Sequence, residues 1–196
     1  MARDAGRPLR ADAQRNRDKI LTAAVRVFTE EGLDAHLERI AREAGVGTAT
    51  LYRNFPTREA LVEAAYRNEV AQLCNVVPDL LATKPPLEAL RAWTRLFMDY
   101  ATAKLGMADA LRAAAASGSN PHAHSHNMIQ TAITSLMDAC TAAETIRTDI
   151  SPTDMFAALA GIALTSAKPE QREQAERLLD LTLDGLKPVP AQLSDN

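Results

Sequence analysis

The chain has 196 residues, 46% of them hydrophobic but only 4% aromatic, with 8 glycines, 2 cysteines and a net charge of −3. A core must come from Ala, Leu, Ile and Val, and alanine dominance with so little glycine favours helices. No apolar run approaches the ~20 residues that span a bilayer, no signal-peptide core follows the N-terminus, and no alternating runs or internal repeat point to strands or a solenoid. Cys74 and Cys140 lack metal or redox spacing and sit in apolar helical patterns, as buried thiols of a reducing compartment do. The expectation is a soluble, cytoplasmic, all-α protein with no membrane partner.

Charge is unevenly placed. Residues 1–58 carry 11 Lys and Arg against 8 Asp and Glu, whereas the remainder carries 11 against 17. A basic N-terminal part on an acidic body fits a local polyanion site.

Residues 1–13 are polar, contain Gly6 and Pro8, and read as a flexible basic arm with Arg3, Arg7 and Arg10. The first helix is expected over 14–31, where Ile20, Leu21, Ala24, Val25 and Phe28 form one apolar stripe and Gly32 ends it. Residues 37–55, LERIAREAGVGTATLYRNF, then read as two short helices meeting at a glycine turn. Ile40, Ala41 and Ala44 give the first an apolar face. Gly45 falls where the chain reverses, a place that favours φ > 0. Thr48 can cap the second helix, and Leu51 and Phe55 point back at the first. Together these describe a DNA-binding helix-turn-helix.

A long helix is expected from Thr57, its N-cap, to about residue 81. Pro78 should kink it or start a separate turn. Further helices are expected over 86–104, 107–116, 121–145, 152–167 and 169–186, about nine in all. Asn120-Pro121 reads as a helix start, and Ser151 with Asp154 resembles a capping box. Residues 187–196, with two prolines, read as a loose tail.

RDKILTAAVRVFTEEGLDA followed by IAREAGVGTATLYRNFPTREALVEAA resembles the N-terminal domain of the tetracycline-repressor (TetR) family, over about residues 17–66. The specific parts are the A-x-x-x-F-x-x-x-G run, the I-A-x-x-A-G-V core and L-Y-x-x-F-P-x-x-E-A-L. KLGMADALRAA is similar to the SbtR-like subgroup. There are departures. The link before the second helix is one residue shorter than in many members. His36 stands where Ser, Thr or Pro usually starts that helix. Gly47-Thr48 replaces a polar or basic pair, and Arg58 replaces a lysine. The resemblance implies a helix-turn-helix domain over 14–56 and a helical ligand-binding and dimerisation domain over 57–186.

Groove geometry limits base contact to side chains near the start of the recognition helix. Thr48, Ala49, Thr50 and Arg53 are therefore the expected readers, with Arg53 the best placed for guanine. Tyr52 and Asn54 match family positions that hold the phosphate backbone, Tyr52 with its ring packed. Arg58, at a helix N-terminus, is expected on a phosphate. Phe55 is expected in the core. Arg39 and Arg42 are expected in solvent or between helices.

The resemblance implies an effector pocket in the helical body, for which Trp93, Phe97, Tyr100, Met107, Met128, Thr131 and Met137 are the available lining. Few charges fall among them, so the ligand should be apolar or neutral. It also implies a homodimer through the last two helices, with Phe156, Leu159, Ile162, Ala163, Leu179 and Leu183 at the interface. His122, His124 and His126 lack a carboxylate or cysteine nearby, so no metal site and no cofactor are expected.

The function expected is a ligand-responsive transcriptional repressor, binding a palindromic double-stranded operator as a dimer and released by a small molecule. The alternative is an all-helical small-molecule-binding protein or enzyme with an incidental helix-turn-helix. No nucleophile–base pair, metal quartet or phosphate loop supports an enzyme.

Overall fold

The computed structural model describes residues 7–118, 125–166 and 169–188. All regular structure in this part is helical: α1 (Arg7–Glu31), α2 (Leu37–Glu43), α3 (Thr48–Asn54), α4 (Arg58–Asn75), α5 (Val77–Thr83), α6 (Pro86–Gly106), α7 (Ala108–Ala116), α8 (Ser125–Ala142), α9 (Pro152–Thr165) and α10 (Arg172–Gly185). Short 3-10 turns at Gly32–Asp34 and Pro169–Gln171 precede α2 and α10. No helix among the described residues is long and apolar enough to cross a membrane.

Two boundaries differ from the sequence reading. α1 starts at Arg7, so residues 7–13 of the expected arm are helical. Past Pro8, neither glycine nor proline interrupts the chain before Gly32, and nothing stops the helix sooner. Arg3 and the rest of the arm lie outside the described residues. The long helix expected to residue 81 is two helices. Pro78 occupies the first turn of α5, where its missing N–H costs nothing, and α4 stops at Asn75. The expected helix start at Asn120-Pro121, with His122 and His124, and most of the tail also lie outside the described residues.

The chain forms two compact units, Met1–Glu69 with Ala103–Ala123, and Val70–Thr102 with His124–Asn196. The first unit is built around α1. Ile20, Ala24, Val27 and Phe28 are fully buried, as are Ile40, Leu51, Leu61 and Ala65. The end of α6 joins this unit because Gly106 lets it approach α1 closely, and Thr29 Oγ1 donates to the Ala103 carbonyl at 3.5 Å. α7 packs on the 3-10 turn that follows α1.

The second unit is organised around Trp93, which is fully buried. Its indole N–H donates to the Leu73 carbonyl at 2.8 Å, so the ring is buried without stranding a donor. Phe97 follows at 5.7 Å between ring centroids, and Phe156 meets Phe97 edge-on at 6.3 Å. α9 begins in the expected capping box. Asp154 N–H donates to Ser151 Oγ at 3.2 Å, and Ser151 N–H donates to Asp154 Oδ2 at 2.9 Å. Cys140 is buried in this unit. Burial pushes the half-buried Cys74 thiol up to about 11.

Candidate nucleic-acid interface

α2 and α3 are each only seven residues, too short to be stable alone, so the turn between them and the core beneath must hold them. Gly45 takes φ +67°, and the reversed chain is closed by Gly45 N–H to the Arg42 carbonyl (3.1 Å) and Val46 N–H to the Ala41 carbonyl (3.0 Å). Leu51 and Phe55 then anchor α3 in the core, at 0% and 2% exposure. Burial of this kind contributes roughly 1.5–3 kcal/mol per side chain.

With Leu51 turned inward, the helix period turns Thr48, Ala49, Tyr52 and Arg53 outward together. All four are exposed, and Thr50 and Asn54 flank them, half-buried. Arg53 Nη2 donates to Thr50 Oγ1 at 3.0 Å, and Asn54 Nδ2 donates to the Thr50 carbonyl at 2.8 Å. Thr50 therefore links the two long polar side chains of α3.

Details of this site differ from the sequence reading. Thr48 does not cap α3. Gly47 is the N-cap residue, and no side chain caps the helix. The first N–H groups of a helix lack intrahelical partners and suit a phosphate, although here Thr50 N–H already donates to the Gly47 carbonyl at 2.8 Å. The Tyr52 ring is 42% exposed rather than packed, because the inward positions of α3 are already taken by Leu51 and Phe55.

Arg58 differs most. Its guanidinium, expected on a phosphate, donates within the fold to the Ala35 carbonyl and, at 2.9 Å, to the Gly32 carbonyl, while its carbon centre lies 5.0 Å from the Phe28 ring centroid. It ties the start of α4 to the turn between α1 and α2. The residue that does cap α4 is Thr57, whose Oγ1 accepts from Ala60 N–H at 3.1 Å.

Charged side chains brace the head from behind. Arg39 of α2 pairs with Glu30 and Glu31 of α1, the second of the two roles, solvent or helix pair, expected for it. Arg26 pairs with Glu43, and the hydrogen bond from Arg26 holds the Glu43 carboxyl below the usual carboxylate range. Arg17 lies over the Phe55 ring at 4.6 Å. The Arg17 contact was not legible in the sequence, because it joins residues 38 apart with no local spacing rule.

The residues expected around an effector pocket do not come together as one lining. Trp93, Phe97, Tyr100 and Met137 are buried in the second unit. Met107 belongs to the first unit. Met128 and Thr131 are exposed on α8 and line an open groove with Cys74, Val77 and Pro78.

The expected interface residues also divide. Leu159, Leu179 and Leu183 are 0–3% exposed within the chain itself, and Ile162 and Ala163 are also buried. Apolar surface already buried cannot be buried again against a partner. The available face lies elsewhere on the same helices. Leu164 and Leu181 are 69% and 68% exposed, beside exposed Ala157 and Gly161 on α9 and half-buried Phe156 and Leu178. His126, on α8, meets Phe156 edge-on at 5.2 Å.

Residues 20–65 match the family described as bacterial regulatory proteins, tetR family, and residues 85–188 match the C-terminal domain of SbtR-like transcriptional regulators. A solved TetR transcriptional regulator from Streptomyces coelicolor, SCO0520, is 76% identical, with a TM-score of 0.87 over 88% of this chain and 99% of that one. A TetR regulatory protein from Mycobacterium vanbaalenii is 33% identical, with a TM-score of 0.77 over 92% of this chain and 100% of that one. An HTH-type transcriptional regulator of Staphylococcus aureus is 43% identical over 54 residues, 27% of this chain and 29% of that protein. The chain thus matches less than a third of the length of that curated relative.

Proposed function

The chain belongs to the TetR family of bacterial regulatory proteins, in its SbtR-like subgroup, and on that premise we propose that it is a ligand-responsive repressor. It binds a palindromic DNA operator as a homodimer in the cytoplasm, and a small molecule releases it.

The observation that carries this reading is the outward face of α3. Thr48, Ala49, Tyr52 and Arg53 share it, over the buried anchors Leu51 and Phe55. A short helix with small residues first and an arginine behind them can lie close in a major groove. Arg53 reads a guanine edge, Thr50 holds Arg53 in place and touches the same step, and Tyr52 and Asn54 hold phosphates. The uncapped N-terminus of α3 adds backbone donors.

One head covers only a few base pairs, so a two-fold pair of heads is needed for a specific site. The face of exposed Ala157, Gly161, Leu164 and Leu181 with half-buried Leu178 supports α9 and α10 as the interface. Small residues on α9 allow close helix approach, and the three leucines supply apolar area. The effector site is assigned to the helical body, with Trp93, Phe97, Tyr100 and Met137 nearest its core. A ligand there acts by favouring one spacing of the heads.

Selection from random double-stranded DNA with the purified protein tests the reading. The expected product is an inverted repeat whose half-sites lie about one helical turn apart or a multiple of it. Recovery of no enriched sequence at moderate salt overturns it.

A further inference from the structure

In the second unit, residues of α6, α9 and α10 and of the segment between the last two line a partly open cavity of about 200 Å³. Its floor is apolar, with Ala163, Ala175 and Leu179 buried. Ser166, just past the end of α9, is 9% exposed and lines the same cavity. Its Oγ is buried and has no hydrogen-bond partner among the described residues. A buried hydroxyl in that state carries a desolvation cost that an incoming polar group relieves.

The rim is charged. Arg95 and Asp99 stand one turn apart on α6, and Arg172 and Glu176 one turn apart on α10. The two helices pair these groups crosswise, Arg95 Nε with Glu176 at 3.2 Å and Arg172 Nη2 with Asp99 at 3.4 Å. Each contact uses a single guanidinium nitrogen, and all four side chains are substantially exposed. Such pairs hold little free energy and exchange readily. A guanidinium presents a planar fork that a carboxylate fills with two parallel bonds, a better arrangement than either present pair.

We propose that this cavity, which lies in the same helical body as the proposed effector site, binds a small carboxylic acid. The carboxylate takes Arg172, displacing Asp99, and receives a further bond from Ser166. The hydrocarbon part lies on Ala163 and Leu179. A space of about 200 Å³ has room for the hydrocarbon part of a short-chain acid. Asp99 and Glu176 face the same rim, but an ammonium gains no fork geometry from them, so cations bind less well.

The test uses the full chain without DNA, so its outcome is separate from the DNA reading. Hexanoate is titrated calorimetrically, with hexylammonium and 1-hexanol as controls and circular dichroism to verify the fold of each variant. Hexanoate is expected to saturate a site that the controls do not. Arg172→Gln should weaken binding by about tenfold or more and Ser166→Ala by a smaller factor, as expected for loss of a charge-assisted and a neutral hydrogen bond. Absence of saturable hexanoate binding overturns the proposal. So does binding that both folded variants retain unchanged, or binding of hexylammonium as tight as that of hexanoate.

Discussion

A Cβ added to Gly106 would lie 2.5 Å from Thr29 Cγ2 and 3.0 Å from Thr29 Cα. The last residue of α6 thus touches the backbone of α1 directly, and only glycine permits that separation. The contact lies within the first compact unit, where Thr29 also bonds the Ala103 carbonyl. Gly106→Ala cannot be relieved by a side-chain rotation alone, because part of the clash is with backbone. We expect a loss of about 1–3 kcal/mol, the range for overpacking a tight contact. Urea unfolding measures it, and an unchanged midpoint contradicts the close approach.

Arg58 is a strut of the head. Arg58→Ala removes two hydrogen bonds to the carbonyls of Gly32 and Ala35 and the stacking on Phe28. A loss of about 1–3 kcal/mol is expected in chemical unfolding. Arg58→Lys should recover only part of it, since one ammonium cannot reproduce the fork. If Arg58→Ala instead unfolds like the parent and only reduces the salt dependence of DNA binding, Arg58 is a phosphate contact after all.

Arg53 and Thr50 act as a pair on α3. Arg53→Ala should cost about 1–3 kcal/mol on the selected operator and relax preference at one base position per half-site. Thr50→Val removes the acceptor but keeps the shape, so it should weaken specific binding more than non-specific binding. Competition gel shifts with point-mutated operators read both effects. A uniform loss over all sequences would make Arg53 a phosphate contact.

Leu164 and Leu181 are the largest exposed apolar groups on α9 and α10. Leu164→Asp with Leu181→Asp should convert a dimer to a monomer in light scattering while helix content stays constant. Leu159→Ala, by contrast, should lower unfolding stability by about 2–5 kcal/mol because the side chain is internal. A dimer that survives the double aspartate variant places the interface elsewhere.

Asp154 gives the second unit an acid sensitivity. Its carboxyl is held below the usual range by hydrogen bonds from the Ser151 side chain and backbone. The folded chain therefore binds this proton more weakly than the unfolded chain does. The resulting stabilisation is complete above the ordinary carboxylate range and fades as pH falls through the lowered folded value. Asp154→Asn should flatten that part of the stability–pH curve in thermal unfolding, and an unaltered acid limb would show that the box does not contribute.

Much of this molecule is written in local spacing. The Gly45 reversal, the inward Leu51 and Phe55, the Ser151–Asp154 box and the break at Pro78 all follow from rules that act within about one helical turn. The outward set on α3 followed from the same period, once Leu51 was placed inside. These features, and the family they identify, needed no coordinates.

Other assignments depended on what each helix packs against. α9 and α10 each carry apolar residues on more than one side, so period alone could not say whether Leu159 and Leu183, or Leu164 and Leu181, face a partner. Tertiary packing used the first pair for the internal core and left the second outside. Arg58 has the same history: a cation at a helix start suits a phosphate, but two carbonyls of the α1–α2 turn lie within its reach, contributed by residues 23 and 26 positions away. The Ser166 cavity has no sequence signal, because it is space left between three helices. Short-range sterics and hydrogen bonding belong to the sequence. Which face is buried, and which donor meets which distant acceptor, is decided only when the helices are packed.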